Sequence, residues 1–123
     1  MIFSIYTKIT GGGSEQNTGN LKSRSGIIQV EVLNGCGRSG VADVFTEYLR
    51  NNHFDVVHQG NYISFDVDNS IVIDRTGNRK NAEKVAEALG IDKKHIITQI
   101  NNDYFLDVSV IIGKDYNQLN YNK

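Results

Sequence analysis

The pattern of apolar and polar residues predicts a strand followed closely by a helix. Apolar and polar residues alternate over residues 28–32, which is typical of a strand with one polar face. A short turn follows, and apolar residues then recur at helical spacing, at Val41, Val44, Phe45, Tyr48 and Leu49. This stripe predicts an amphipathic helix that ends near residues 51–53, with Ser39 placed to cap its first turn.

The rest of the pattern predicts a second helix and further strands. Strands are expected over residues 54–58, 71–73, 96–100 and 108–112. The second helix is expected over residues 79–89, with an apolar face made of Ala82, Val85, Ala86 and Leu89. Asn78 is a suitable N-cap for this helix, and Gly90 followed by Ile91 is a suitable left-handed terminator.

The element order β-α-β-β-α-(β)-β predicts an α+β fold. Two β-α-β units joined by a β-β link form a two-layer sandwich with ferredoxin-like connectivity and both helices on one face of the sheet. The two halves share this plan and have helices of similar length, and no residue-level repeat is visible between them. In this arrangement we expect the two strand-to-helix turns to share one edge of the sheet.

The two ends of the chain differ from the part that carries the hydrophobic pattern. Residues 1–26 combine a short apolar patch with a Gly-, Ser- and Asn-rich stretch that is typical of a flexible linker. The patch is too short for a signal peptide. It is either the end of a membrane anchor that begins upstream of Met1 or an ordinary N-terminus. Residues 117–123 are expected to form a polar tail, which leaves one domain at residues 27–116.

Charge and cysteine content exclude several classes of protein. The chain has 13 Lys and Arg against 14 Asp and Glu, and this near-neutral balance argues against a dedicated nucleic-acid binder. No apolar run is long enough to span a membrane by itself. Cys36 is the only cysteine, so the chain has neither a disulfide framework nor a cysteine metal cluster.

A glycine-rich turn connects the first strand to the first helix. Gly35, Gly37 and Gly40 match G-x-G-x-x-G in the context where backbone N–H groups can hold a phosphate or carboxylate. A dinucleotide site also needs an acidic residue at the end of the second strand, where residues 57–59 are Val, His and Gln. A Walker A lysine is absent as well. Dinucleotide binding is therefore disfavoured.

The competing interpretation of this turn is structural. Gly35 and Gly37 would permit backbone angles closed to other residues, and Gly40 would allow close contact between helix and strand. Asn34 is suited to hold the turn by bonding to neighbouring backbone groups. A weaker functional form remains, in which the turn and Arg38 receive an anionic group of a glycan or a lipid-linked polymer.

The other candidate residues favour ordinary structural roles. The histidines, His53, His58 and His95, lack the spacing of metal ligands. Cys36 is more readily a small packed side chain than a reactive thiol. Three further groups of residues have a structural and a functional interpretation. They are Asp66 with Asp68, Asp74 with Arg75, and the loop aromatics Tyr62, Phe65 and Tyr104.

Those interpretations differ in chemistry. The two loop carboxylates would be solvated, or would act as an acid and base or bind Ca²⁺. The Asp-Arg pair at a strand end would form an ion pair or face a ligand. The aromatics would plug the open ends of the core, or form a platform for sugar rings or a partner.

The sequence resembles the LytR C-terminal domain family. The opening signature is Val-Glu-Val-Leu-Asn-Gly-x-Gly-x-x-Gly-Val-Ala over residues 30–42. Similar segments follow in the same order at residues 48–50, 54–57, 60–61, 70–75, 82, 85–90 and 107–116. The resemblance implies a small accessory module of cell-envelope proteins, found after the catalytic domain of LytR-CpsA-Psr proteins or without it, often behind a membrane anchor. It implies no catalytic residues, because the phosphotransferase portion is absent from this chain.

The sequence therefore predicts a non-catalytic cell-envelope domain that needs no metal or cofactor. It would bind a cell-wall polymer, peptidoglycan or an envelope protein, and no nucleic acid. It would lie outside the cytoplasm, tethered to the membrane through its linker, with a cytoplasmic location as the alternative. The predicted ligand-binding residues follow strand ends, and they are Asn34, Gly35, Gly37, Arg38 and Arg75. Two rival functions stay open, a small anion- or nucleotide-binding protein that uses the turn at residues 35–40, and a pure protein-interaction domain.

Overall fold

The computed structural model describes residues 26–121, which form five strands and two α-helices. The apolar patch and nearly all of the linker, residues 1–25, lie outside the described residues, as do residues 122–123. In chain order the elements are β1 (Gln29–Asn34), α1 (Val41–Asn51), β2 (Asp55–Asn61), β3 (Ile71–Asp74), α2 (Arg79–Leu89), β4 (Ile96–Thr98) and β5 (Val108–Ile112). Short 3₁₀ helices at Lys93–His95 and Tyr116–Gln118 precede β4 and follow β5.

The strands form one mixed sheet in the order β2-β1-β5-β3-β4. β1 runs parallel to both β2 and β5. β3 runs parallel to β4 and antiparallel to β5. The sheet therefore consists of two parallel β-α-β units that run in opposite directions, with β5 between them. The predicted α+β class is confirmed.

The ferredoxin-like connectivity is not confirmed, and the observed strand order differs from it. That plan separates the two parallel strands of each β-α-β unit by another strand. Here β1 pairs directly with β2, and β3 pairs directly with β4. The short segment after α2 forms an edge strand of its own, so β5 is free to lie at the centre of the sheet.

Both helices pack on the same face of the sheet. The inward faces of β1, β3 and β5 and the buried stripes of the two helices form one continuous cluster, which includes Val30, Val32, Phe45, Leu49, Val72, Val85, Leu89, Val108, Val110 and Ile112. The Tyr48 hydroxyl also donates a hydrogen bond of 2.9 Å to the Ala88 carbonyl, which links α1 to α2. The two-layer arrangement expected from the sequence is present.

Three local expectations differ from the structure. Val44 is exposed although it belongs to the predicted stripe, whereas Thr46 is buried and its hydroxyl donates to the Gln59 side-chain oxygen at 2.8 Å. The N-cap of α1 is Gly40, at φ 84°, and not Ser39. Leu119 and Tyr121 belong to the predicted polar tail, yet Leu119 is buried in the core and the Tyr121 ring lies 5.1 Å from that of Phe45.

The end of α2 agrees with the sequence. Gly90 adopts the left-handed conformation with φ 77° and terminates the helix. The N–H of the next residue, Ile91, donates to the Ala86 carbonyl at 2.8 Å, and the Ile91 side chain is buried. This is the closure that a glycine terminator followed by an apolar residue produces.

The end of β5 is held tightly against the loop that leads into β3. Gly113 donates its N–H to the Ser70 hydroxyl at 2.8 Å, and Ser70 in turn donates both its N–H and its hydroxyl to the Asp115 carboxylate. A Cβ at position 113 would lie only 2.8 Å from the Val67 carbonyl oxygen and 2.9 Å from the Ser70 nitrogen. The close approach of two backbone segments therefore requires glycine here.

We expect Gly113→Ala to lower the free energy of unfolding by about 1–3 kcal/mol, because the new methyl group meets backbone atoms that cannot rotate away. Chemical denaturation of the full chain measures this loss. Gly26→Ala is the matched control, since a Cβ there meets nothing within 4 Å. Equal stability of the two variants would contradict the proposed close approach.

Candidate binding surface at the glycine turn

The glycine turn after β1 is closed by the last side chain of that strand. The Asn34 Oδ1 accepts the N–H groups of Cys36 and Gly37, each at 3.0 Å. The Asn34 Nδ2 donates to the Arg38 carbonyl at 2.9 Å, so the carboxamide spans the turn. The N–H donors at positions 36 and 37, which the phosphate interpretation needs, are thus occupied by the chain itself.

The glycines of this turn serve different purposes. Gly35 does not have a positive φ, so the expectation of an unusual backbone angle there is wrong. Glycine is needed because a Cβ would lie 2.8 Å from the Ile111 side chain and 3.0 Å from the Ile112 carbonyl oxygen. At Gly37, with φ 80°, it would lie 3.1 Å from the Phe65 Cβ. A Cβ at Gly40 would meet nothing within 4 Å, so the expectation that this glycine allows close contact between helix and strand is wrong. Its left-handed backbone, with φ 84°, instead starts the helix.

The loop between β2 and β3 lies across the glycine turn. The Tyr62 N–H donates to the Asn34 carbonyl at 2.8 Å, and the Val67 N–H donates to the Gly35 carbonyl at 3.0 Å. Between these two anchors the loop presents Ile63, which is 94% exposed, and Phe65, which is also exposed. The loop therefore covers the end of β1 and displays apolar side chains to solvent.

Charged side chains belong to the same loop and to the segments it is bonded to. The Lys114 Nζ lies 2.6 Å from the Asp66 Oδ1. This hydrogen bond holds the pKa of Asp66 below its usual value and raises the pKa of Lys114. In the glycine turn, the exposed Arg38 guanidinium lies 6.0 Å from the Tyr116 ring centroid. We call the set Arg38, Ile63, Phe65, Asp66 and Lys114 the turn surface.

Arg75 lies at the opposite end of the sheet from the turn surface. Its N–H donates to the Asp107 carbonyl at 3.0 Å, and the Asp107 N–H donates to the Gln29 carbonyl at the start of β1. Because β3 runs antiparallel to β5, the strand-to-helix turns point in opposite directions, and the expectation that they share an edge is wrong. The structure brings together the predicted residues 34–38 and leaves Arg75 apart.

Arg75 takes part in a buried polar network on the sheet face away from the helices. The Arg75 Nε donates to the Ser109 hydroxyl at 2.9 Å, and that hydroxyl donates to the Glu31 Oε2 at 2.6 Å. The Arg75 Nη1 bonds to the Gln99 side chain at 3.0 Å, and Tyr104 stacks over the guanidinium at 4.2 Å. Sequence reasoning missed Glu31 and Ser109, although the alternation of β1 and β5 places both on the face away from the helices.

A comparison with known protein families matches residues 27–116 to the family described as LytR cell envelope-related transcriptional attenuator. The chain belongs to this family. The match confirms the resemblance carried by residues 30–42 and the segments that follow, and it covers the strands and helices of the sheet. Searches of curated proteins and of solved structures returned no significant match.

Membership of the LytR C-terminal family associates the domain with the cell envelope. The family is one of accessory domains and is not a known catalytic family. Neither helix of residues 26–121 has the length and apolarity needed to cross a bilayer. Over the same residues, no three His, Cys, Asp or Glu side chains are grouped so that they could share a metal ion.

The second strand-to-helix turn of the LytR C-terminal domain repeats the device of the first. The Asp74 Oδ1 accepts the N–H groups of Thr76 at 3.1 Å and Gly77 at 2.9 Å, and Gly77 has φ 91°. Asp74 therefore corresponds to Asn34, and Gly77 to Gly37. A residue-level repeat exists after all, and an Asn or Asp at a strand end, three residues before a glycine, is the signal that shows it.

The structure shows the contacts of the other residues that the sequence marked as candidates. The Cys36 thiol is partly buried and lies 3.3 Å from the Asn34 Oδ1, so it packs inside the turn. Asp74 and Arg75 face different partners and form no ion pair with each other among the described residues. Tyr104 stacks on Arg75. Asp66 is paired with Lys114, and Asp68 is exposed.

Removing the Asn34 carboxamide should open the turn. We expect Asn34→Ala to lower the free energy of unfolding by about 1–3 kcal/mol, because the N–H groups of Cys36 and Gly37 lose their acceptor. Asn34→Asp keeps an acceptor oxygen and should lose less. Urea denaturation of both variants compares them, and an alanine variant as stable as the aspartate variant would contradict the closure of the turn by this side chain.

The ion pair on the turn surface should be visible in the titration of Asp66. We expect Lys114→Met to raise the pKa of Asp66 toward its ordinary value, because the hydrogen bond that favours the carboxylate is lost. In the parent chain the pair is formed above the pKa of Asp66 and is lost as the pH falls through it. NMR titration of the Asp66 carboxyl carbon measures the change, and Lys94→Met, at a distant site, should leave that pKa unaltered.

Proposed function

We propose that this LytR C-terminal domain is a non-catalytic binding module of the cell envelope, and that it binds its partner through the turn surface. The single observation that carries this proposal is the exposure of Ile63 and Phe65 on a loop that backbone hydrogen bonds hold against the glycine turn. The Asn34 side chain already bonds to the N–H groups of Cys36 and Gly37, so these two donors support the shape of the turn and are not offered to a ligand. The partner is a cell-wall polymer, peptidoglycan or an envelope protein.

The chemistry of the turn surface supports binding by contact. Exposed apolar side chains at Ile63 and Phe65 lie beside the cationic Arg38 and the Asp66–Lys114 pair. Apolar residues with a charged rim are typical of protein and ligand interfaces. The loop that carries them is fixed to the ends of β1 and β5 by backbone hydrogen bonds, so the surface is largely preformed before binding.

The competing function is recognition of a small anion or nucleotide by the glycine turn. That function would require the Asn34 oxygen to leave the N–H groups of Cys36 and Gly37, at the energetic cost of two hydrogen bonds. A pure protein-interaction domain is the other alternative, and it would use the same exposed residues. In each case we propose a location outside the cytoplasm, with the N-terminal segment as the tether.

Binding by the turn surface can be tested by NMR titration of the ¹⁵N-labelled full chain. Soluble peptidoglycan fragments, a purified wall polymer, and ATP and NAD are added separately. We expect a wall component to shift the amides of Arg38, residues 63–66 and Lys114, and the nucleotides to shift none of them. A protein partner would instead be recovered from envelope extracts by the parent chain.

A pair of matched variants identifies the surface. Ile63→Ser removes an apolar side chain that is almost fully exposed, so it should weaken binding about tenfold with no loss of stability. Val57→Ser removes a side chain that is 47% exposed on β2 and should leave binding unchanged. Shifts of the Cys36 and Gly37 amides by ATP that disappear in Gly37→Val would overturn the proposal in favour of the anion-binding function.

A further inference from the structure

The two edges of the sheet differ in how open they are to another strand. At the β2 edge the register shifts opposite the Val30–Glu31 step, so Val57 has no partner in β1 and forms a bulge. Bulges of this kind disrupt an edge and protect it from further pairing. The β4 edge has no such irregularity in its pairing with β3.

The β4 edge extends beyond the strand itself. The Gln99 N–H donates to the Asp74 carbonyl at 2.9 Å and the Asn101 N–H donates to the Arg75 carbonyl at 3.1 Å, so the chain follows the end of β3. Because N–H groups alternate in direction along an extended chain, those of Thr98 and Ile100 point away from β3. Within residues 26–121, no backbone group bonds to this outer side.

Apolar side chains lie along the same edge. Ile97 is 45% exposed on the sheet face away from the helices, and Ile100 is 58% exposed just after the strand. An open edge with exposed apolar residues is the arrangement that accepts an added strand. The edge therefore offers both main-chain hydrogen bonds and apolar contact area to a partner.

The charges near this edge show which partner fits. Lys93 and Lys94 precede β4 next to Asp92, whereas Asp103 follows it, so the end before the strand has a net positive charge and the end after it a negative one. Beside it, a shallow groove of about 540 Å³ is lined by residues of both signs, which are Lys80, Glu83, Lys84, Glu87, Asp92 and Lys93, together with Ile91. Such a surface is complementary to itself when it is turned through 180°.

We propose that the β4 edge binds a second copy of this chain, with the two β4 strands antiparallel across a two-fold axis. Antiparallel pairing directs the Lys93–Lys94 end of each edge toward the partner's Asp103 end, and it runs the two α2 helices antiparallel, so that the Lys80 end of one faces the Glu87 end of the other. Parallel pairing would place like charges together. This inference is independent of the turn surface, which lies at another part of the molecule.

Sedimentation velocity of the full chain over a range of concentrations tests the pairing. We expect a monomer-dimer equilibrium, and Ile97→Lys should raise the dimer dissociation constant about tenfold or more, because it places charges at the axis and removes apolar contact. Val57→Lys introduces the same charge at the bulged β2 edge and should leave the equilibrium unchanged. A monomer at every concentration, or a dimer sensitive only to Val57→Lys, would overturn the proposal.

Charge reversal distinguishes antiparallel pairing from other contacts. Lys93→Glu and Asp103→Lys should each weaken the dimer, because each places like charges together across the axis. The double variant Lys93→Glu with Asp103→Lys restores opposite charges and should recover the parent dissociation constant. Lys22→Glu, a residue outside positions 26–121, changes the net charge by the same amount as Lys93→Glu and is the control for net charge alone. A double variant weaker than both single variants would overturn antiparallel pairing.

Discussion

The fold depends on the position of β5 between two β-α-β units that run in opposite directions. Each residue of Val108–Ile112 is buried, and the strand pairs with β1 in parallel and with β3 in antiparallel orientation. One strand thus joins the two halves of the sheet and contributes to the core beneath both helices. The same pairing separates the two strand-to-helix turns, since β1 and β3 run in opposite directions and therefore end at opposite ends of the sheet. The distribution of candidate binding residues follows directly from this constraint.

The two strand-to-helix turns satisfy their backbone N–H groups in the same way. Where a strand ends and a helix begins nearby, successive N–H groups converge and require an acceptor. Asn34 supplies it in the first unit and Asp74 in the second, each followed three residues later by a glycine with positive φ. A glycine pattern that resembles a phosphate loop is therefore satisfied internally. The surroundings of the first turn, especially the loop that crosses it, then provide the surface available to a partner.

The face of the sheet away from the helices contains a buried polar network, whereas the face beneath the helices is apolar. Glu31 and Arg75 are buried there and are connected through the Ser109 hydroxyl, so that β1, β5 and β3 are linked by one polar chain. Buried charges are tolerated when their hydrogen-bonding capacity is met, and removal of one member leaves the others unpaired. Arg75, which follows a strand end in the sequence, is thus positioned mainly by contacts with neighbouring strands.

The sequence by itself determined the elements whose pattern is local. The bounds of α2 and β5, the glycine terminator of α2 and the family follow from periodicity, capping chemistry and motif. Only the tertiary structure decided the strand order, the exposure of Val44 and burial of Thr46, and the separation of Arg75 from Asn34. Strand order and direction arise from hydrogen bonds between segments far apart in the chain. Local patterning fixes which face of a strand is apolar, but not which strand lies beside it.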